Sequence, residues 1–165
     1  MLKMSSAQCL NHSTWIRKRD YHCVHKEALK ALLDFLDDKD RDTLLVEEWA
    51  FHNQFGPMPC IHQDKDEELF DEDKTNISYP IGSCVLYLSV EDMEGGRLFV
   101  GEVGGEEPEE LNDEYIVPKS GMLVLMVPEL WHRVEQVTKG KRHSINYNYW
   151  EKPVHRIKGM GDNWR

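Results

Sequence analysis

The sequence predicts a mainly β chain, a sandwich or barrel of short strands accompanied by one helix. Three observations carry this. Short apolar runs recur at close intervals between residues 81 and 150. Glycine, proline and lysine turn signals separate them, as an all-β fold requires. A single stretch, residues 26–38, repeats its apolar residues at helical spacing.

In chain order, Lys26 to Asp38 carries Ala28, Leu29, Leu32, Leu33, Phe35 and Leu36 as a stripe, which predicts a helix packed on the outside of the sheet. Leu45 to Phe55 reads as a first long strand, bent at Gly56-Pro57. Ile81 to Ser89 predicts a buried strand, and Glu94-Gly95-Gly96 a tight turn pairing it with Arg97 to Gly101. Tyr115 to Pro118 follows, then a turn at Lys119-Ser120-Gly121 and the apolar run Met122 to Val127. His132 opens a strand through Val137, Lys139-Gly140-Lys141 predicts another turn, and Arg142 opens the last strand to Trp150. The segment 64–73, with seven acidic residues and one lysine, is expected as a solvated, mobile loop, and 106–114 as a surface loop. With Leu69 and Phe70 as apolar anchors, the first could act as a lid that attracts a basic peptide. The expected organisation is one domain over 1–165, with a helical region at 1–44, a β core at 45–150 and a polar tail at 151–165.

Chemistry concentrates at Cys60-Ile61-His62-Gln63-Asp64. In an extended segment residues two apart face the same way, so His62 and Asp64 can reach one ion while Gln63 faces elsewhere. His132 offers a second imidazole far downstream. Two imidazoles and one carboxylate can hold Fe(II) on one face and leave positions open for a cosubstrate and dioxygen. Arg142 adds a permanently charged planar fork suited to a carboxylate. Period two then sets Arg142, Ser144, Asn146 and Asn148 on one strand face, with Ile145, Tyr147 and Tyr149 on the other. A face that polar suits a pocket floor. A lone His-x-Asp pair is weak, so the ordered pattern behind it carries the weight.

That order runs His62-Gln63-Asp64, Tyr87-Leu88-Ser89, Gly95-Gly96-Arg97-Leu98-Phe99, Pro118 to Gly121, Trp131-His132-Arg133-Val134 and Gly140 to Ser144. It resembles the prolyl-4-hydroxylase-like family of Fe(II)- and 2-oxoglutarate-dependent oxygenases, over residues 45 to 150. The resemblance implies a double-stranded β-helix, a cupin-like jelly roll of eight core strands, buttressed by the N-terminal helix. It implies His62, Asp64 and His132 as iron ligands at the catalytic centre. Arg142 and Ser144 match the pair that receives the distal carboxylate of 2-oxoglutarate, and Tyr87 a further hydroxyl on that carboxylate. Ser89 stands where the family more usually has Asn, and Phe55-Gly56 stands near the place of a Tyr-x-x-Gly. The implied cofactors are Fe(II), 2-oxoglutarate and O2, with ascorbate as an optional accessory. The implied reaction hydroxylates a substrate C–H, with peptidyl proline leading, while 2-oxoglutarate becomes succinate and CO2. A free amino acid or other small molecule is the alternative substrate, and a non-catalytic cupin-like binding module the alternative class.

The resemblance implies a peptide, protein or small-molecule substrate, with oligomeric state open, and composition argues against nucleic acid as a partner. The net charge of −10 repels phosphates, and Asn146 and Asn148 stand where the nucleic-acid-repairing branch carries a second arginine. No apolar stretch approaches the ~20 residues of a membrane span, and Met1 to Ser13 lacks the apolar core of a secretory leader. The expectation is a soluble, cytoplasmic protein whose Cys9, Cys23, Cys60 and Cys84 are reduced and structural. The sequons at Asn11 and Asn76 are then unused. Cys9 and His12 with His22, Cys23 and His25 could form a small zinc site, but no Cys-x-x-Cys occurs. His25-Lys26-Glu27 mimics a metal pair at the start of the helix and is expected on the surface.

Overall fold

The computed structural model describes residues 14–52, 61–152 and 154. Their strands are β1 (Thr14–Arg17), β2 (Leu45–His52), β3 (Gly82–Gly95), β4 (Leu98–Val103), β5 (Glu114–Ile116), β6 (Leu123–Met126), β7 (Leu130–Val134) and β8 (Val137–Trp150), and the helices α1 (Cys23–Phe35) and α2 (Glu67–Glu72). A five-stranded sheet runs β1-β2-β8-β3-β6 and a three-stranded sheet β5-β4-β7. All pairings are antiparallel. The two sheets face each other as a double-stranded β-helix, as the sequence predicts. Expectations for Cys9, Asn11, Phe55-Gly56, Cys60 and most of the tail lie outside the described residues.

Alternation builds two cores from one large sheet. Val85, Tyr87, Val124 and Met126 turn inward to meet Leu98 of the small sheet. Val46, Cys84, Tyr147 and Tyr149 turn outward under α1. There Ala28, Leu32 and Leu33 are 5%, 0% and 9% exposed, and each buried leucine stabilises by about 2 kcal/mol. The helix is thus the expected buttress, although it begins at Cys23 and leaves Phe35 53% exposed in its last turn. Burial pushes the Cys84 thiol up to about 12, which keeps it inert.

Several expectations are corrected. β1 lies in the region expected to be helical, where it extends the large sheet beside β2. His25 is buried, not on the surface: Nδ1 accepts the His22 backbone N–H at 3.0 Å and Nε2 reaches Glu48 Oε2 at 2.9 Å. Both ring nitrogens are matched, which lets an imidazole sit in a core. Gly95 and Gly96, at φ +74 and +71, do turn the chain, but β3 and β4 belong to different sheets, so the turn is a crossover rather than a hairpin. No turn occurs at Gly140. β8 runs unbroken through it, and the break falls at Glu135 and Gln136 instead.

Gly140, at φ +79, accommodates a bulge where β3 carries one extra residue between Glu91 and Glu94. Lys139 pairs with Glu94 at 2.8 Å and Lys141 with Glu91 at 3.6 Å across it. The stretch 64–73 is partly helical: Asp66 caps α2 by accepting the Leu69 N–H at 3.2 Å. Phe70 lies under the Lys65 and Lys74 ammonium groups, at 3.9 and 4.3 Å. The stretch 106–114 is mostly exposed, as expected, and is pinned by buried Leu111 against Phe99 and Trp131. Among the described residues no helix is long and apolar enough to cross a membrane.

Candidate metal centre

His62 lies against the open edge of β7, where it forms an isolated antiparallel bridge with His132. Partners in such a pair project to the same side of a sheet, and the two rings stand 4.3 Å apart, centre to centre. Asp64, two residues on, points the same way as His62, as the extended spacing predicts. Its Oδ1 is 3.9 Å from Nε2 of both histidines. All three donor atoms lie within 4.8 Å of one another. Gln63 faces away, as expected: its Nε2 donates to the Glu129 carbonyl at 2.7 Å and its Oε1 accepts the Tyr79 hydroxyl at 3.2 Å. This clamp on the ligand segment has no signature in the sequence.

The side chains present donor atoms that could hold a metal ion. His132 Nδ1–H donates to the Leu130 carbonyl at 2.9 Å, which directs the Nε2 lone pair into the site. Asp64 Oδ2 accepts the Ser83 hydroxyl at 2.7 Å, leaving Oδ1 toward the imidazoles. Side-chain exposures of 23%, 15% and 8% for His62, Asp64 and His132 describe a site open on one side. Donors sharing an ion at about 2.1 Å stand about 3 Å apart when adjacent, so an ion would draw each imidazole about 1 Å nearer Asp64 Oδ1. The histidines come from the small sheet, while Asp64 is tied to β3 of the large one. The centre therefore bridges the two sheets.

Tyr87, Ser144 and Arg142 share the inner face of the large sheet. Tyr87 stands directly opposite Ser144; a bulge at Leu88 then sets Val90 opposite Arg142 and Ser89 opposite His143. Ser89 thereby falls on the outward phase of β8, and its departure from the usual Asn leaves the inner face unchanged. Tyr87, Ser144 and Arg142 are 1%, 3% and 3% exposed. Burial draws the Arg142 guanidinium below its ordinary value, with the field of Tyr87 opposing. Burial also pushes the Tyr87 hydroxyl up to about 12, against Arg142, so Tyr87 is a neutral donor at physiological pH. Arg142 Nη1 donates to the Gly96 carbonyl at 3.1 Å. The glycine crossover thus also braces the arginine. A guanidinium held this deep strongly favours a carboxylate brought to it.

Ser83, Asn148 and Glu47 complete the polar inner face, and sequence reasoning assigned no role to Ser83 or Glu47. Ser83 and Asn148 are direct cross-strand partners, as are Glu47 and Asn148. A serine in the apolar run of β3 was the available signal. Of the residues in the zinc alternative, buried His25 is committed to Glu48, while Cys9 and His12 lie outside the described residues.

Residues 54–150 match the 2OG-Fe(II) oxygenase superfamily, and the chain belongs to that superfamily. Members of that superfamily use Fe(II), 2-oxoglutarate and O2, and the His62, Asp64 and His132 donor set fits the ion. Among solved structures, the chain is similar to an oxidoreductase of the 2OG-Fe(II) oxygenase family from Burkholderia pseudomallei, with 18% identity and a TM-score of 0.46, over 79% of this chain. It spans 57% of the length of that neighbour. No curated protein matches the sequence significantly.

Proposed function

We propose that this dioxygenase is a hydroxylase of the prolyl-4-hydroxylase-like kind, with one catalytic unit over residues 45–150. The observation that carries the reading is the convergence of His62, Asp64 and His132 through the β bridge between the two histidines. The two neutral imidazoles and the Asp64 carboxylate hold Fe(II). Arg142 grips the distal carboxylate of 2-oxoglutarate as a charge-assisted fork, with Ser144 and Tyr87 as neutral hydroxyls beside it.

Bound iron supplies activation of dioxygen, so that 2-oxoglutarate, O2 and a substrate C–H yield succinate, CO2 and the C–OH. The chain supplies placement and dryness. Arg142 and Tyr87 set the direction of the cosubstrate, and Val85, Met126 and Leu130 line the space between the sheets with apolar groups that exclude water.

Peptidyl proline is the leading substrate on the family resemblance. Glu67 and Glu68 on α2, which begins three residues beyond Asp64, give an approaching basic segment an attractive surface, while Asp71 is already paired with Lys74. Asp66 is excluded from that role because it caps the helix, and Phe70 because two lysines cover it. Succinate release across proline-containing peptides and free amino acids, with Asp64→Ala as control, tests the reading. Coupled turnover with a proline peptide is expected. Coupling with free amino acids alone would replace the substrate class, and no turnover by well-folded, iron-loaded protein would favour a binding module.

A further inference from the structure

We infer that Ser83 and Asn148 form a directional hydrogen-bond relay that orients the Asp64 carboxylate, with the Asn148 amide as terminal donor. The inference rests on Asp64 being a metal ligand. Ser83 Oγ lies 2.7 Å from Asp64 Oδ2 and 2.6 Å from Asn148 Oδ1. Both relay residues are 4% exposed and face each other across β3 and β8.

The direction follows from counting hydrogens. A serine hydroxyl has one hydrogen, and an ionised carboxylate only accepts. With Asp64 ionised, as a metal ligand is, that hydrogen belongs to the Asp64 bond. Ser83 Oγ is then an acceptor towards Asn148, and only the amide nitrogen can donate. Amide oxygen and nitrogen exchange by a half-turn at nearly identical shape. The amide therefore presents Nδ2 rather than Oδ1 to Ser83.

Two consequences follow. An N–H donated into Ser83 polarises its hydroxyl and strengthens the bond to Asp64. Holding Oδ2 in that bond also reserves Oδ1 for the side facing both imidazoles, which favours one-oxygen ligation. Ser83 and Asn148 are positioning residues, acting on the ion only through Asp64.

The test is Co(II) titration, followed by its visible d–d bands, of the parent, Ser83→Ala, Asn148→Leu and the double variant, with melting of each metal-free protein in parallel. Ser83→Ala is expected to weaken Co(II) binding about 10- to 100-fold, and Asn148→Leu by a smaller factor. The double variant is expected to bind no more weakly than Ser83→Ala, because Asn148 acts through Ser83. Parent-like affinity in Ser83→Ala would overturn the relay. So would losses that multiply in the double variant, or that merely track metal-free melting temperature. A parent that binds no Co(II) would instead overturn the metal assignment, and the relay with it.

Discussion

His62 and His132 hold each other through both backbone amides, His62 N–H to the His132 carbonyl at 3.0 Å and His132 N–H to the His62 carbonyl at 2.9 Å. Two candidate ligands far apart in sequence are thus one hydrogen-bonded β pair. Their imidazoles meet because their backbones do. Asp64 is held differently, by a side-chain bond from the opposite sheet.

Since the bridge is made by backbone, replacing either imidazole spares it. His132→Ala is expected to keep the circular dichroism spectrum of the parent while Fe(II) affinity falls by roughly 100-fold or more. A folded His132→Ala protein with parental iron affinity would remove His132 from the ligand set.

Arg142→Lys retains a charge but loses the planar fork. Hydrogen bonds to charged groups contribute about 1.5–3 kcal/mol, so the KM for 2-oxoglutarate should rise about 10- to 100-fold. The kcat at saturating cosubstrate should change much less. Succinate formation against 2-oxoglutarate concentration separates the two.

Gly140→Ala tests the bulge that replaced the expected turn. A Cβ there would stand 2.3 Å from the carbonyl oxygens of both Glu91 and Asp92, at a φ of +79. The backbone conformation alone costs about 1–3 kcal/mol without glycine, and the clash adds to it. Urea unfolding should show a fall of at least about 2 kcal/mol; a smaller loss would mean that the strand turns freely there.

Glu135 accepts two hydrogen bonds from the Arg97 guanidinium, at 2.7 and 2.6 Å. That fork is the main reason its carboxyl lies below its ordinary value of 4.5. A depressed carboxyl contributes stability above its unfolded value and loses it as pH falls through the folded one. Glu135→Gln should therefore melt below the parent at neutral pH, with the gap closing below about pH 4. A gap independent of pH would show that the pair acts by shape rather than charge.

The strand menu, the buttressing helix and the clustering of His62, Asp64 and His132 were legible in the sequence because each rests on local periodicity or ordered motifs. What was not legible depends on partners distant in sequence. Gly140 has the same local chemistry in a turn and in a bulge; only the acidic residues of β3 opposite Lys139 and Lys141 decide between them. His25 looked like a surface histidine because the helical stripe counts apolar residues, while its burial depends on Glu48 and the tyrosines of β8. Asp66 looked like one charge among many until its position before Leu69 made it a helix cap. Ser83 was hidden in an apolar run, and its bond to Asp64 exists only once the two sheets close.

The most direct test of the central claim is an anaerobic titration of the protein with Fe(II) and 2-oxoglutarate, followed by visible absorption. The account predicts a metal-to-ligand charge-transfer band that needs both additions, disappears in Asp64→Ala and His132→Ala, and requires more 2-oxoglutarate in Arg142→Lys. Folded parent protein that shows no band, or a band that survives in Asp64→Ala and His132→Ala, would contradict it.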